Sequence, residues 1–312
     1  MKVCFVGIGS IAKRHIRNLY QICKKTNVDL TIDALRRSNG FFFEKPEFIS
    51  KIYYSADDLP DDYDAIFVTN PTEYHADTLI QLHNHGKHFF IEKPIASLKT
   101  IDRLKDFIPR QDSVYYVACP MRYTNVIRYI KKEIKPEKVL SVRSISSSYL
   151  PDWRPGTDYR DTYSAHRDLG GGVAIDLIHE WDYLSFLFGM PTEVKSFIGK
   201  VSNLEIDSDD FAIYIARFSN NMIAELHLDY FGRKTIRTIE LYTDEETILG
   251  DLEAGKVHYL KAGTVVDCRE ERDEYQQREL QHFIDAINGK TRSQNSISEA
   301  LSVLKLTQGI IE

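Results

Sequence analysis

Val3-Cys4-Phe5-Val6-Gly7-Ile8-Gly9-Ser10-Ile11-Ala12 decides how the rest of the sequence is read. The apolar run predicts a strand over residues 2–8, and residues 11–24 carry the apolar spacing of a helix. GxGxxA therefore stands where a strand ends and a helix begins. Gly7 permits the tight turn, Gly9 brings no side chain against a pyrophosphate, and Ala12 lets the helix approach the sheet. The first amides of that helix, at Ser10 and Ile11, would add donors at the positive end of its dipole. A dinucleotide-binding turn is the expectation.

Working outward, strands are predicted at 29–36, 64–69, 87–91 and 114–118, with helices at 72–84 and 98–107. Short apolar runs alternating with amphipathic stretches describe a parallel sheet with crossover helices. Past Pro120 the texture changes. A helix at 125–134 and a long strand at 138–148 lead into a polar loop at 150–168. A further helix follows Gly170-Gly171-Gly172, strands succeed one another from 192 to 260, and helices at 275–287 and 298–311 close the chain. The reading is an α/β dinucleotide-binding domain over 1–120, then an α+β domain with a mainly antiparallel sheet over 121–312.

A chain of 312 residues, 43% hydrophobic and 28% charged, has apolar content for two cores and too little charge imbalance for disorder. The net charge of -6, with both signs interspersed, argues against a general nucleic-acid or anionic-membrane binder. No apolar run approaches a membrane span. Cys4, Cys23, Cys119 and Cys268 are dispersed, and Gly7 and Gly9 interrupt any signal-like N-terminus, so a reducing cytoplasm is expected. His83, His85 and His88 flank a helix end and a strand start, and their side chains diverge too far to form a metal site.

An acid at the end of the second strand would bind the ribose 2′-hydroxyl of NAD, whereas basic residues there accommodate the 2′-phosphate of NADP. Asp33 is the candidate acid by counting from Gly7. Lys24-Lys25-Thr26-Asn27 reads as a long connection, however, which moves the strand end to Leu35-Arg36 and brings Arg36, Arg37 and Ser38 to the ribose. NADP is favoured, with NAD the alternative.

Oxidising a secondary alcohol needs a base for the hydroxyl proton while hydride leaves for the nicotinamide. Glu92-Lys93-Pro94 follows a parallel strand, at the sheet edge where ligands collect. A lysine beside an oxidised nicotinamide would be pushed towards a useful pKa, and Pro94 restricts the backbone that holds it. Asp176, His179 and Tyr183 fall at i, i+3 and i+7 and would share one helical face opposite Leu177, Trp181, Leu184 and Phe188. Arg122, just past the domain junction, is placed to reach cofactor or substrate. In the 150–168 loop, Trp153, Tyr159 and Tyr163 offer faces for a sugar ring. Arg154, Arg160 and Arg167 offer grips for an anionic group.

Gly7-Ile8-Gly9-Ser10-Ile11-Ala12 with Arg14-His15, Thr69-Asn70-Pro71 with His75, Glu92-Lys93-Pro94, and Gly170-Gly171-Gly172 followed by Asp176 and His179 resemble, in order, the motifs of the Gfo/Idh/MocA oxidoreductases. The resemblance implies a Rossmann domain, a second domain with an open antiparallel sheet, and a homodimer or homotetramer built on that sheet. It implies NAD(P)-linked chemistry on sugars, amino sugars, sugar nucleotides or cyclitols. It places Thr69, Asn70, Pro71, His75, Glu92 and Lys93 at the cofactor, and Lys93, Asp176 and His179 at the reacting carbon. His179 exchanges the proton, Lys93 polarises the oxygen or relays, and Asp176 orients. Ala12 departs conservatively from the family's usual glycine, and the missing acid after the second strand weakens the case for NAD. Two alternatives remain: a dinucleotide-binding regulator or scaffold without turnover, and a reductase of an imine or tetrapyrrole on the same fold.

Overall fold

The computed structural model describes residues 1–37 and 47–311, which form two compact units. The N-terminal unit begins with β1 (Lys2–Val6), α1 (Ser10–Thr26), β2 (Thr31–Leu35), β3 (Ile52–Tyr53) and β4 (Tyr63–Val68). It continues with α2 (His75–Gln81), β5 (Gly86–Ile91) and β6 (Tyr115–Val117). The strands form one parallel sheet in the order β3-β2-β1-β4-β5-β6. Burial on both faces explains why its strands read as unbroken apolar runs. Phe67 at the centre stacks on Phe5 and Phe90 with centroids 4.4 and 5.1 Å apart.

Two local expectations change. Residues 98–107 form only a short 3-10 turn at Ile101–Leu104, and 72–84 divide into a 3-10 turn and the seven-residue α2. Lys24, Lys25 and Thr26 stay helical, and the chain turns at Asn27, whose φ of 52° caps α1. The strand end nonetheless falls at Leu35, with Arg36 next.

Buried His88 on β5 accepts the Val114 N–H at Nδ1 over 3.0 Å, which requires that nitrogen to be unprotonated. Burial, aided by Lys87, pushes its pKa down from 6.5 to about 4. The unfolded chain therefore binds the extra proton first, and stability falls as pH drops from 6.5 towards 4. Urea midpoints measured across that window should fall more steeply for the wild type than for His88→Asn. Parallel curves would remove His88 from the acid response.

The C-terminal unit contains α3 (Asn125–Glu133), β7 (Val139–Tyr149), α4 (Val173–Asp176), α5 (His179–Phe188) and the strands β8 to β14. These strands are β8 (Glu193–Gly199), β9 (Phe211–Arg217), β10 (Ile223–Asp229), β11 (Phe231–Thr243), β12 (Thr247–Asp251), β13 (Lys256–Tyr259) and β14 (Thr264–Asp267). The sheet runs β14-β13-β12-β11-β7-β10-β9-β8 and is antiparallel except where β7 meets β10. Its helix-covered face is buried through Ala212, Tyr214 and Ala216, and Trp181 of α5 meets Tyr214 edge-on at 5.1 Å. Two helices close the chain, α6 (Arg272–Ile287) and α7 (Ile297–Leu306).

The C-terminal unit starts at Cys119, but residues Arg272–Leu301, which the sequence reading places in that domain, belong to the N-terminal unit. The cause is burial: Phe283 of α6 packs edge-on against Phe67 and Phe90, and Asn295 Nδ2 donates to the Val117 carbonyl at 2.8 Å. No helix among the described residues is long and apolar enough to cross a membrane.

Candidate active site

The glycine turn after β1 is built against the residues that follow β4. Gly7 has φ +82°, and a Cβ there would stand 2.8 Å from Asn70 Cα, so only glycine fits. Thr69 Oγ1 donates to the Val6 and Gly7 carbonyls at 3.0 Å each, and Asn70 Nδ2 donates to Thr78 Oγ1 at 2.8 Å. In front of Gly9 there is open space, with nothing within 4 Å of a Cβ. Gly9 precedes α1 without a side-chain cap, and the first turn carries no acid. The leading amides of Ser10 and Ile11 thus belong to an uncapped helix start suited to an anion.

Asp33 is not available to a ribose. It lies within β2 opposite Cys4, buried, accepting Tyr63 Oη–H at 2.9 Å and the Lys51 N–H at 3.0 Å. Arg36 and Arg37 take the position after the strand, with the Arg37 guanidinium 4.5 Å over the Tyr74 ring. Ser38 lies outside the described residues.

Glu92 continues from β5, its N–H bonded to the Val68 carbonyl at 2.9 Å, and its carboxylate meets Nε2 of buried His15. Burial alone would raise the Glu92 carboxyl; the His15 hydrogen bond and nearby positive charge, including Lys93, outweigh it and hold the pKa low. The Lys93–Pro94 peptide bond is cis. His75 needs correction as a cofactor contact. Only 1% exposed, it spans backbone, with Nδ1 2.9 Å from the Pro94 carbonyl and Nε2 2.8 Å from the Asn70 carbonyl. Burial lowers its pKa against the pull of those two carbonyls. It fixes two loops rather than facing a ligand.

In the C-terminal unit Asp176, His179 and Tyr183 do not share a helical face. The chain turns at Leu177 and Ile178, between α4 and α5, and apolar side chains are buried on every side of the segment. Tyr183 is wholly buried, its hydroxyl 2.6 Å from Ser144 Oγ. Asp176 is gathered instead with residues from elsewhere. Tyr230 Oη donates to its Oδ2 at 2.6 Å, the Tyr163 hydroxyl lies in its field, and the Arg154 guanidinium lies 5.2 Å over the Tyr163 ring. Trp153 stands edge-on to Tyr230 at 5.1 Å and donates Nε1–H to Ser148 Oγ at 2.9 Å. The Asp176 charge raises the Tyr163 pKa; burial followed by that charge raises Tyr230. Gly171 makes the gathering possible, because a Cβ there would stand 2.1 Å from the Tyr163 carbonyl oxygen. His179 opens α5, half-buried.

Other loop residues serve the fold. Arg160 donates to Asp158 and Glu205, and Tyr159 Oη accepts the Glu205 N–H at 3.1 Å. Arg122 is corrected as a ligand contact: its Nε and Nη2 donate to Asp182 at 2.9 and 2.7 Å, with both side chains buried. Buried Glu180 pairs with Arg237 at 2.7 Å. His83, His85 and His88 each hold a different partner: Tyr115, Asp61 and the Val114 amide.

Two family models match: an oxidoreductase family with an NAD-binding Rossmann fold over residues 1–119, and the GFO/IDH/MocA C-terminal domain over 127–249. The chain belongs to the Gfo/Idh/MocA oxidoreductases. Curated relatives of this Gfo/Idh/MocA chain include 2,7-anhydro-N-acetylneuraminate hydratase of Mediterraneibacter gnavus, 29% identical over 53% of this chain and 45% of the relative. Levoglucosan dehydrogenase of Pseudarthrobacter phenanthrenivorans is 24% identical over 75% and 65%, and myo-inositol 2-dehydrogenase of Thermotoga maritima 22% over 72% and 66%. The chain thus spans 45 to 66% of the length of these relatives. Levoglucosan dehydrogenase in complex with NADH and levoglucosan shares the fold, with a TM-score of 0.82 at 18% identity over 99% of this chain and 96% of that one. UDP-N-acetylglucosamine 3-dehydrogenase from Acidithiobacillus ferrooxidans gives 0.76 at 17% identity over 99% and 95%.

Proposed function

We propose that this protein is an NAD(P)-dependent oxidoreductase, with NADP preferred, acting on a CH–OH group of a sugar-type substrate. One observation carries the reading. An open glycine turn at an uncapped helix start and Lys93 stand at the same edge of one parallel sheet. The relatives named for levoglucosan and myo-inositol dehydrogenation support the substrate class.

Gly7, Gly9, Ser10 and Ile11 would hold the cofactor's pyrophosphate, and Arg36 and Arg37 its adenosine ribose. When bound, the nicotinamide supplies or accepts the hydride. The residues of the chain handle the proton. His179 takes it from the substrate hydroxyl in oxidation and returns it in reduction, Asp176 orients the reacting group, and Lys93 polarises its oxygen or relays the proton. Glu92, held by His15, and Pro94, held by His75, fix the backbone on both sides of Lys93. Trp153 and Tyr163 provide aromatic faces for the ring. Self-association through the C-terminal sheet belongs to the same reading: the face turned away from the helices exposes Phe197 at 79% and Ile215 at 53%.

The test is calorimetric titration of NADP(H) and NAD(H) into wild type and Arg36→Ala. NADP(H) should bind tighter, and the variant should lose about 10- to 100-fold of that affinity, as expected for a charge-assisted hydrogen bond. Preference for NAD, unaffected by the variant, would overturn the cofactor choice. Binding of neither would overturn the oxidoreductase reading.

A further inference from the structure

We propose that the substrate is a sugar acid whose carboxylate is bound by Arg154. This rests on the reading above and narrows it.

The argument begins with three arginines on one loop. Arg160 is spent on Asp158 and Glu205. Arg167 lies in the field of Asp209, its backbone N–H donates to Asp207, and no aromatic ring is found against its guanidinium among the described residues. Arg154 has no carboxylate partner among the described residues and is exposed, its guanidinium held over the Tyr163 ring. A guanidinium resting on an aromatic ring is fixed in place while its N–H edges remain outside the contact, ready for a forked bond to a carboxylate.

Position and charge narrow the ligand. Tyr163 lies in the field of Asp176, so the Arg154 guanidinium over its ring is one side chain removed from the carboxylate that orients the reacting group. The cluster also includes Asp209, whose pKa is raised by burial, with the Asp176 charge adding to it. Arg154 adds one positive charge at the edge of this acidic cluster, which suits a ligand of a single negative charge. A phosphate or diphosphate would bring a larger negative charge into the field of Asp176 and Asp209. The carboxylate is an anchor and takes no part in bond making. The oxidised carbon loses its hydrogen as hydride to NAD(P)+ and its hydroxyl proton to His179.

The experiment is steady-state kinetics of the full chain with NADP+ and NAD+ on hexuronates, the matched neutral hexoses and their 1-phosphates. Wild type, Arg154→Gln and Arg154→Lys are compared. In wild type, kcat/KM for one or more uronates should exceed that of the matched hexose by about 10- to 100-fold. Arg154→Gln should bring the ratio near one, chiefly through KM, and Arg154→Lys, which keeps the charge without the fork, should fall between. Best use of a neutral hexose or a hexose phosphate by wild type overturns the proposal and leaves the oxidoreductase reading standing. An acid preference that survives Arg154→Gln does the same. No oxidation of any sugar by protein that binds dinucleotide overturns both.

Discussion

Replacing His179 by alanine is expected to lower turnover about 10²- to 10⁴-fold, the usual reach of a positioned general acid or base. His179 is the first residue of α5, half-buried, and α5 is anchored by other side chains, through Glu180 to Arg237 and Asp182 to Arg122. Loss of the imidazole should therefore leave the melting temperature near that of wild type. Dinucleotide affinity should also hold, because the contacts proposed for the cofactor are Gly7, Gly9, Ser10, Ile11, Arg36 and Arg37. Steady-state kinetics beside calorimetry separate the effects. Near-normal turnover would remove His179 from the mechanism, and a matching fall in stability would reassign it to the fold.

The second large effect concerns stability. Arg122 and Asp182 have side chains 7 and 8% exposed, and the Arg122 guanidinium also lies 5.2 Å from the Phe186 ring centroid. Removing one partner strands a buried charge, so Arg122→Ala or Asp182→Ala should each destabilise by about 3–5 kcal/mol in denaturant unfolding. The double variant Arg122→Met/Asp182→Leu, which removes both charges and keeps the volume, should regain most of that loss. Cofactor affinity at a temperature where the variants remain folded should be unchanged. Weakened dinucleotide binding without a stability loss would restore Arg122 as a ligand contact.

The parallel sheet and its glycine turn were legible because both are local. Alternating apolar runs define the strands, and GxGxxA has meaning only at the exit of β1 into α1. The end of β2 at Leu35 is legible as well, although residues 24–27 are not a long connection: α1 runs on to Thr26 and the chain turns at Asn27. What escaped depends on distant partners. The period of α6 shows an apolar face but not the sheet that covers it, so Phe283 gave no sign that it packs on Phe67 and Phe90. Tyr230 carries no motif and reaches Asp176 only because β10 ends beside it. The two buried ion pairs did leave a trace. Glu180 and Asp182 sit in an otherwise apolar helix, where unpaired carboxylates are untenable, so cations had to meet them. Which cation meets which acid, Arg122 with Asp182 and Arg237 with Glu180, depends on the folded chain.

The return of residues Arg272–Leu301 to the N-terminal unit has a consequence for biosynthesis. Domains generally fold in the order they leave the ribosome. Here the unit that emerges first stays incomplete until residues 272–301 are made, since its aromatic core waits for Phe283 and the strand end at Val117 waits for Asn295. A nascent chain carries an open parallel sheet while every strand of the antiparallel sheet is synthesised. A fragment cut at residue 118 would remain in that unfinished state, whereas a circular permutant joining 272–301 directly to the first unit would let it close early.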